Sequence, residues 1–217
     1  MTRWAPQKAD TLAALATEIL HNYGRGRVVV GIDGVDGAGK THFADALAMA
    51  LAETGHEVHR ASIDGFHQSR AVRHARGKDS PEGFSLDSYN DASFRSALVE
   101  PFRAGAPFRT AVFDHRADAP VHPEPLTAGE DAVLLVDGIF LHRPELRGLF
   151  VYTIWLDVPR AVAEQRLRDR DGESGVGERS SAGQDRYIAD VTPSARATAI
   201  IDNTDFDAPR RVFADSC

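Results

Sequence analysis

Arg27 to Leu51 constrains this chain more than any other stretch. Val28, Val29, Val30 and Ile32 make a β-branched run, glycines then crowd a turn, and HFADALAMAL follows at helical spacing. The order is strand, loop, helix. Within it, Gly34-Val35-Asp36-Gly37-Ala38-Gly39-Lys40-Thr41 satisfies G-x-x-x-x-G-K-[ST] at every fixed position, and between a strand and a helix that pattern is a Walker A phosphate loop. Phosphate oxygens need many N–H donors close by. Gly34, Gly37 and Gly39 let the backbone curl into such a nest, and the helix starting at about Lys40 adds its positive end. Lys40 can reach the β- and γ-phosphates as a mobile charge, and the Thr41 hydroxyl can take a place on Mg²⁺. Asp36, Ala38 and His42, inside or just after the loop, join these as nucleotide-contacting candidates.

Upstream, Leu12, Leu15, Ile19 and Tyr23 fall at helical spacing, and Gly24-Arg25-Gly26 stops that helix. Downstream, EVHRASI (57–63) reads as a short second strand that delivers Asp64-Gly65-Phe66-His67 at its C-terminal end. Ligands of open parallel sheets collect beyond that end, so Asp64 is a candidate for chemistry. Residues 68–83 are basic and read as a short helix or exposed loop. Residues 87–103 return to helical spacing through Tyr89, Phe94, Leu98 and Phe102, and FRTAVF (108–113) reads as a strand entering Asp114-His115-Arg116.

AVLLVDGIF (132–140) is a continuous apolar run, as expected of a strand buried on both faces, and its terminal Asp137 stands where a Walker B acid belongs. FVYTIWL (150–156) is another core strand, followed by a helix that ends in Arg166, Arg168 and Arg170. The next residues, DGESGVGERSSAG, are rich in glycine and serine and read as mobile. Helix, arginines and flexible segment together suggest a lid at approximately 166–185 that closes over phosphates and excludes water. Helix C-terminal capping is the alternative for any one of these arginines. Gln184 to Val191 resumes a helix, and Thr198 to Ile201 gives a last short strand. Strands alternating with helices imply an α/β chain with a mainly parallel sheet, and residues 1–217 are expected to form one domain.

The formal net charge of -7 argues against nucleic acid as a partner. The only cysteine is the last residue, Cys217, so no internal disulfide can form, which suits a reducing compartment. The N-terminal stretch reads as an amphipathic helix rather than a signal peptide, and no segment has the roughly 20 apolar residues of a membrane span. A cytoplasmic protein is expected, acting on a small molecule, with homo-oligomerisation left open.

Several stretches together resemble the uridine kinase branch of P-loop kinases, which includes phosphoribulokinase and bacterial pantothenate kinase. GIDGVDGAGKT looks like that family's phosphate loop and SIDGFH (62–67) like its Asp-x-Phe-Tyr motif. VFDHRAD (112–118) is similar to its Tyr-Asp-Phe stretch, VLLVDGIF (133–140) to its Phe-Glu-Gly-Ile strand end, and WLDVPRAVAEQRLRDRD (155–171) to its lid helix. The resemblance implies a three-layer P-loop NTPase fold with a five-stranded sheet in the order 2-3-1-4-5, and transfer of the ATP γ-phosphate to a substrate hydroxyl. It places Asp64 on the catalytic base, with the lid arginines and Lys40 beside it, and Asp137 on the acidic Mg²⁺ partner, with Thr41 and Asp64 completing the metal set. His67, Phe84, Phe113, His115 and Arg116 fall in or next to segments that line the acceptor pocket. The chain also departs from the family. Phe84 is followed by Ser85 rather than an acid, so that Asp87 could substitute only with a shifted loop, and the family's His and Arg are compressed into Asp114-His115-Arg116.

The reading is thus an ATP- and Mg²⁺-dependent kinase acting on a nucleoside such as uridine or cytidine. The alternatives are another hydroxylated acceptor (a pantothenate-like compound, a sugar or a riboside) or a regulatory ATPase that phosphorylates nothing. An Asn-Lys-x-Asp guanine motif is absent. A switch has no need of a second acid after the second strand, whereas a kinase does.

Overall fold

The computed structural model describes residues 7–213. The N-terminal residues before Gln7 and the terminal Cys217 lie outside them. In chain order, α1 (Lys8–Tyr23) buries Leu12, Leu15, Ala16 and Ile19 and leads into β1 (Val28–Gly34), which is buried throughout. The phosphate loop follows, then α2 (Lys40–Ala52) and β2 (Val58–Ser62). A 3₁₀ turn over Ile63–Phe66 carries the chain to α3 (Arg70–Arg73), α4 (Pro81–Asp87), α5 (Asp91–Phe94), a π-helical stretch Arg95–Val99 and α6 (Glu100–Ala104). A hairpin of two-residue strands pairs β3 (Phe113–Asp114) with β4 (Ala119–Pro120). Then come β5 (Val133–Gly138), β6 (Tyr152–Asp157), α7 (Arg160–Asp171), α8 (Glu178–Val191), α9 (Pro193–Arg196), β7 (Ala199–Asp202) and β8 (Arg210–Val212).

The main sheet runs β2-β5-β1-β6-β7-β8. Its first five strands are parallel, and β8 closes the edge antiparallel to β7. Counted among the parallel strands alone, the order is 2-3-1-4-5, as the resemblance implies. The sixth strand, β8, is an addition beyond Thr198 to Ile201, which the sequence predicts as the last strand. Two apolar clusters sandwich the sheet. One packs α1 and α2 through Leu15, Ile19, Leu47 and Leu51, and the other packs Phe66, Phe94, Phe102, Phe108 and Phe140 on the opposite face. The ends of β1, β2 and β5 therefore open on one edge, where the phosphate loop, Asp64 and Asp137 stand together.

Three expected elements differ. FRTAVF is not a sheet strand: Phe108 bridges Leu126, the Val112 N–H donates to the Gly65 carbonyl, and Phe113 enters the hairpin. The helix expected from Asp87 is broken. Ser88 Oγ caps the Phe84 carbonyl, Tyr89 bridges His67 in extended form, and Asn90 starts a new helix by accepting from Ser93 N. Farther along, Pro101 has no N–H for the Ala97 carbonyl, and the N–H of Arg109 takes that acceptor at 2.8 Å. Finally, much of the glycine- and serine-rich segment is ordered, because α8 already begins at Glu178.

Leu47 is fully buried between α2 and the sheet. Leu47→Ala is expected to cost about 2–5 kcal/mol, read as a lower urea midpoint at an unchanged m-value.

Candidate active site

The phosphate loop is shaped by what it cannot accommodate. Gly37 sits at φ +79°, where a Cβ would lie 2.2 Å from the Ala163 carbonyl oxygen, and Gly39 sits at φ +86°, where one would lie 2.3 Å from the Phe206 ring. Both positions need glycine, for backbone conformation and for space. Ala38 is buried, and its carbonyl accepts from Asn203 Nδ2 at 2.7 Å, tying the loop to the end of β7. Lys40 folds back on the loop, donating to the Gly34 and Val35 carbonyls at 2.9 Å each, with Asp36 3.9 Å away. These are weak partners that phosphate oxygens can replace.

Behind the loop lies a group the sequence reading passed over. Asp33 is fully buried in β1; Oδ1 accepts from Gly34 N (2.7 Å), and Oδ2 accepts from Leu141 N (3.0 Å), His142 N (3.2 Å), His142 Nδ1 (2.8 Å) and the Tyr187 hydroxyl. Burial and the Asp33 charge push the Tyr187 phenol far up, so it stays a donor. One turn earlier on α8, Gln184 accepts from Asp36 N at 2.7 Å and donates to the Asp36 carboxylate at 3.2 Å. The signal for Asp33 was available: it is the lone acid in a strand otherwise made of valine, isoleucine and glycine.

A cleft of about 590 Å³ opens over the loop and is lined by Lys40, Thr41, Asp64, Asp137, Arg166 and Arg170 among others. Asp137, at the end of β5, is almost fully buried, and Oδ2 accepts from Thr41 Oγ1 at 3.0 Å. Its Oδ1 accepts from Arg60 at 2.9 Å. The hydroxyl and carboxylate at this spot are hard oxygen donors of the type Mg²⁺ prefers. Among the described residues there is no group of three or more His, Cys, Asp or Glu able to cage a metal.

Asp64 faces into the same cleft, with 58% of its side chain open to it. The Tyr89 hydroxyl donates to its Oδ1 at 2.9 Å and His67 Nε2 lies 3.5 Å away. The Ser88 carbonyl, 3.0 Å from His67 Nδ1, can only accept, so Nδ1 donates there, and Nε2 faces the Asp64 carboxylate, to which it donates when the ring is protonated on both nitrogens. Crowding in the cleft pushes the Asp64 carboxyl up, but the His67 imidazole, the Tyr89 hydroxyl and the charge of Lys40 outweigh that and lower it to about 2. Tyr89 is buried and stays protonated, because burial and the Asp64 charge both raise it. His67 stacks between Tyr89 (4.5 Å) and His115 (4.6 Å), forming a wall of planar groups beside Asp64.

The other expected residues divide. Arg166 and Arg170, one helical turn apart, both line the cleft, whereas Arg168, half a turn round, pairs with Glu164 and Glu173. Arg166 is already engaged: it caps the Gly37, Asn203 and Thr204 carbonyls and lies 3.7 Å over the Phe206 ring. Arg170 is held by Asp171 and feels the charges of Asp36 and Asp64. Phe84 does not line this cleft; it packs on Phe140 beneath Arg179, and Asp87 is bound by Arg76 at 2.8 Å. Phe113 is fixed in the hairpin, and Arg116 contributes its N–H to Asp114. His42 stands 5.9 Å from Phe206 at the loop's outer side. Helical spacing assigns Tyr89 to the core, and nothing local in the sequence marks either Tyr89 or Phe206 for this site.

Known proteins resemble this chain in part and over most of its length. The family described as Methylmalonyl Co-A mutase-associated GTPase MeaB matches residues 3–70, the part that carries the phosphate loop. The chain is 44% identical over 59 residues to an uncharacterized protein in the mutB 3' region of Streptomyces virginiae, a match covering 27% of this chain and 62% of that protein. It is 27% identical over 182 residues to a uridine kinase of Lactiplantibacillus plantarum, covering 79% of this chain and 80% of that protein. A solved structure described as a possible uridine kinase from Bacillus stearothermophilus superposes with a TM-score of 0.69 at 26% identity, over 88% of this chain and 97% of that one. The likeness to uridine kinase-type P-loop kinases is therefore present in sequence and in fold. Among the described residues no helix is long and apolar enough to cross a membrane.

Two outcomes follow for Asp64. Its folded value lies below the unfolded carboxylate value of about 4, so the stability its contacts contribute is present above pH 4 and lost as the pH falls toward about 2. Tyr89→Phe removes a donor to the charged form, so the Asp64 midpoint should rise toward the ordinary range in a carboxyl-carbon NMR titration. An unmoved midpoint would discount the Tyr89 bond.

Proposed function

We propose that the protein is a cytoplasmic kinase that transfers the γ-phosphate of ATP, with Mg²⁺, to a hydroxyl of a small metabolite, a nucleoside such as uridine or cytidine first among them. The reading is carried by one observation: Asp64, Lys40, Thr41 and Asp137 line a single cleft, with Asp64 oriented by Tyr89 and His67 and coupled in charge to Lys40.

In this reading the loop amides and Lys40 bind the phosphates, with Lys40 giving up the carbonyls of Gly34 and Val35. Thr41 and Asp137 hold Mg²⁺, whose chemistry when bound is to neutralise and align the β- and γ-phosphate oxygens. The Phe206 ring and His42 offer flat surfaces to the adenine. Asp64 receives the acceptor hydroxyl. The hydroxyl oxygen bonds to the γ-phosphorus as the bond to the β–γ bridging oxygen breaks. ADP leaves with that electron pair, and the hydroxyl proton passes to Asp64. A carboxylate lowered to about 2 is a poor base but a strong orienting acceptor. Orientation is what phosphoryl transfer through a loose transition state chiefly requires. Asp64 already has Tyr89 and His67 as partners, which leaves the metal to Thr41 and Asp137. Residues 1–217 act as one domain, and residues 166–185 act as the lid, with Arg170 reaching the migrating phosphoryl group.

Similarity to uridine kinases supports the nucleoside. A second reading, a sugar or other smaller polyol, is favoured by Phe84 and Asp87, which pack and pair away from the cleft, so that neither offers a surface for a planar base there.

Phosphorylation assays across uridine, cytidine, sugars and pantothenate-like compounds should show ATP-dependent product with one class. ATP binding with no product from any of them would favour a regulatory ATPase. Lys40→Ala should abolish product. Asp64→Asn should lower kcat by about 10²–10⁴-fold with calorimetric ATP affinity retained, and near-wild-type turnover would overturn the assignment of Asp64.

A further inference from the structure

Arg60 lies on the edge strand β2, on the face toward α2, while its neighbour His59 packs against Phe102 and Phe108 on the other face. Register places Arg60 opposite Leu135 and Ser62 opposite Asp137, so Asp137 is the diagonal neighbour on Arg60's own face. The guanidinium donates to Asp137 Oδ1 at 2.9 Å, to the Leu135 carbonyl at 3.3 Å, and to Asp45 Oδ1 at 3.0 Å. Asp45 is one helical turn beyond Thr41 on α2. Thr41 in turn donates to the other oxygen of Asp137 at 3.0 Å. One planar side chain thus ties the helix bearing Lys40 and Thr41 to the strand bearing Asp137. The leg to Asp45 is exposed and weak, and the leg to the buried Asp137 is the strong one.

Resting on the metal reading above, we propose that Arg60 is a positioning residue that sets when the site takes a divalent cation. Arg60 holds Oδ1 of Asp137, leaves Oδ2 toward Thr41, and offsets part of the carboxylate's charge, the exposed Asp45 sharing the guanidinium. The protein alone then attracts a cation poorly, and the phosphate oxygens of a nucleotide supply the missing negative charge, so metal and nucleotide are taken up together. A unit positive charge within a few ångströms of the site weakens cation affinity by roughly tenfold or more at the effective dielectric of a half-buried pair.

The test is Mn²⁺ binding followed by water-proton relaxation, which separates protein-bound Mn²⁺ from the Mn²⁺–ATP complex and needs no turnover. Wild-type protein should bind Mn²⁺ at least tenfold more weakly without ATP than with it. Arg60→Gln should tighten binding without ATP by about tenfold, whereas Arg60→Lys, which keeps the charge, should stay near wild type; circular dichroism verifies folding of each. If a folded Arg60→Gln leaves ATP-free affinity unchanged or weaker while wild type gains Mn²⁺ with ATP, the inference on Arg60 is overturned and the kinase reading stands. If Arg60→Gln does not fold, the wild-type comparison decides: equal affinity with and without ATP overturns the inference. Absence of Mn²⁺ binding by wild type even with ATP removes the metal reading and this inference with it.

Discussion

A buried carboxylate behind the phosphate loop holds the site together. Asp33 cannot stay inside the sheet without donors, because an unpaired charge there would cost far more than the chain's net stability allows. Its donors come from three places: the first loop glycine, the turn after β5, and Tyr187 of α8. Meeting the needs of one oxygen pair therefore fixes three segments that are distant in sequence. Gln184 repeats the link one turn away by gripping Asp36. The phosphate loop is thus gripped from α8 as well as carried by β1.

The same helix reaches the Asp64 side of the cleft. α8 packs on α4, where Gly183 leaves room for the Phe84 ring that a Cβ would meet at 2.7 Å. The chain leaving α4 runs through Ser88, which fixes His67, to Tyr89, which fixes Asp64. Packing at α8 and the orientation of Asp64 are linked through a few bonds. This explains why Phe84, read as a wall of the acceptor pocket, serves the interior: its ring fills the seam between two helices.

The two acids of the cleft are distinguished by their surroundings. Asp64 is open to the cleft and held by an imidazole and a phenol, so it stays ionised and directional. Asp137 is closed off, with one oxygen given to Thr41 and the other to Arg60. Like groups placed in unlike environments are suited to different tasks, and here one faces the open cleft while the other faces the side of the loop that carries Thr41.

Read alone, the sequence determined what depends on near neighbours. Glycines at 37 and 39 before Lys40-Thr41, the apolar runs of β1, β5 and β6, and acids at the ends of β2 and β5 are local patterns. Parallel strands bring such ends to one edge whatever the details. What the sequence could not decide rests on contacts between distant segments. The break before Tyr89 depends on Ser88 and His67 meeting, the departure of FRTAVF from the sheet on Val112 bonding to Gly65, and the sixth strand on β7 presenting an open edge. The partition of Arg166, Arg168 and Arg170 follows from helical phase, but which phase faces the cleft is set by how α7 packs. Tyr89, Arg60, Gln184 and Phe206 acquire meaning only there, because a hydrogen bond across the fold leaves no periodicity in the chain that makes it.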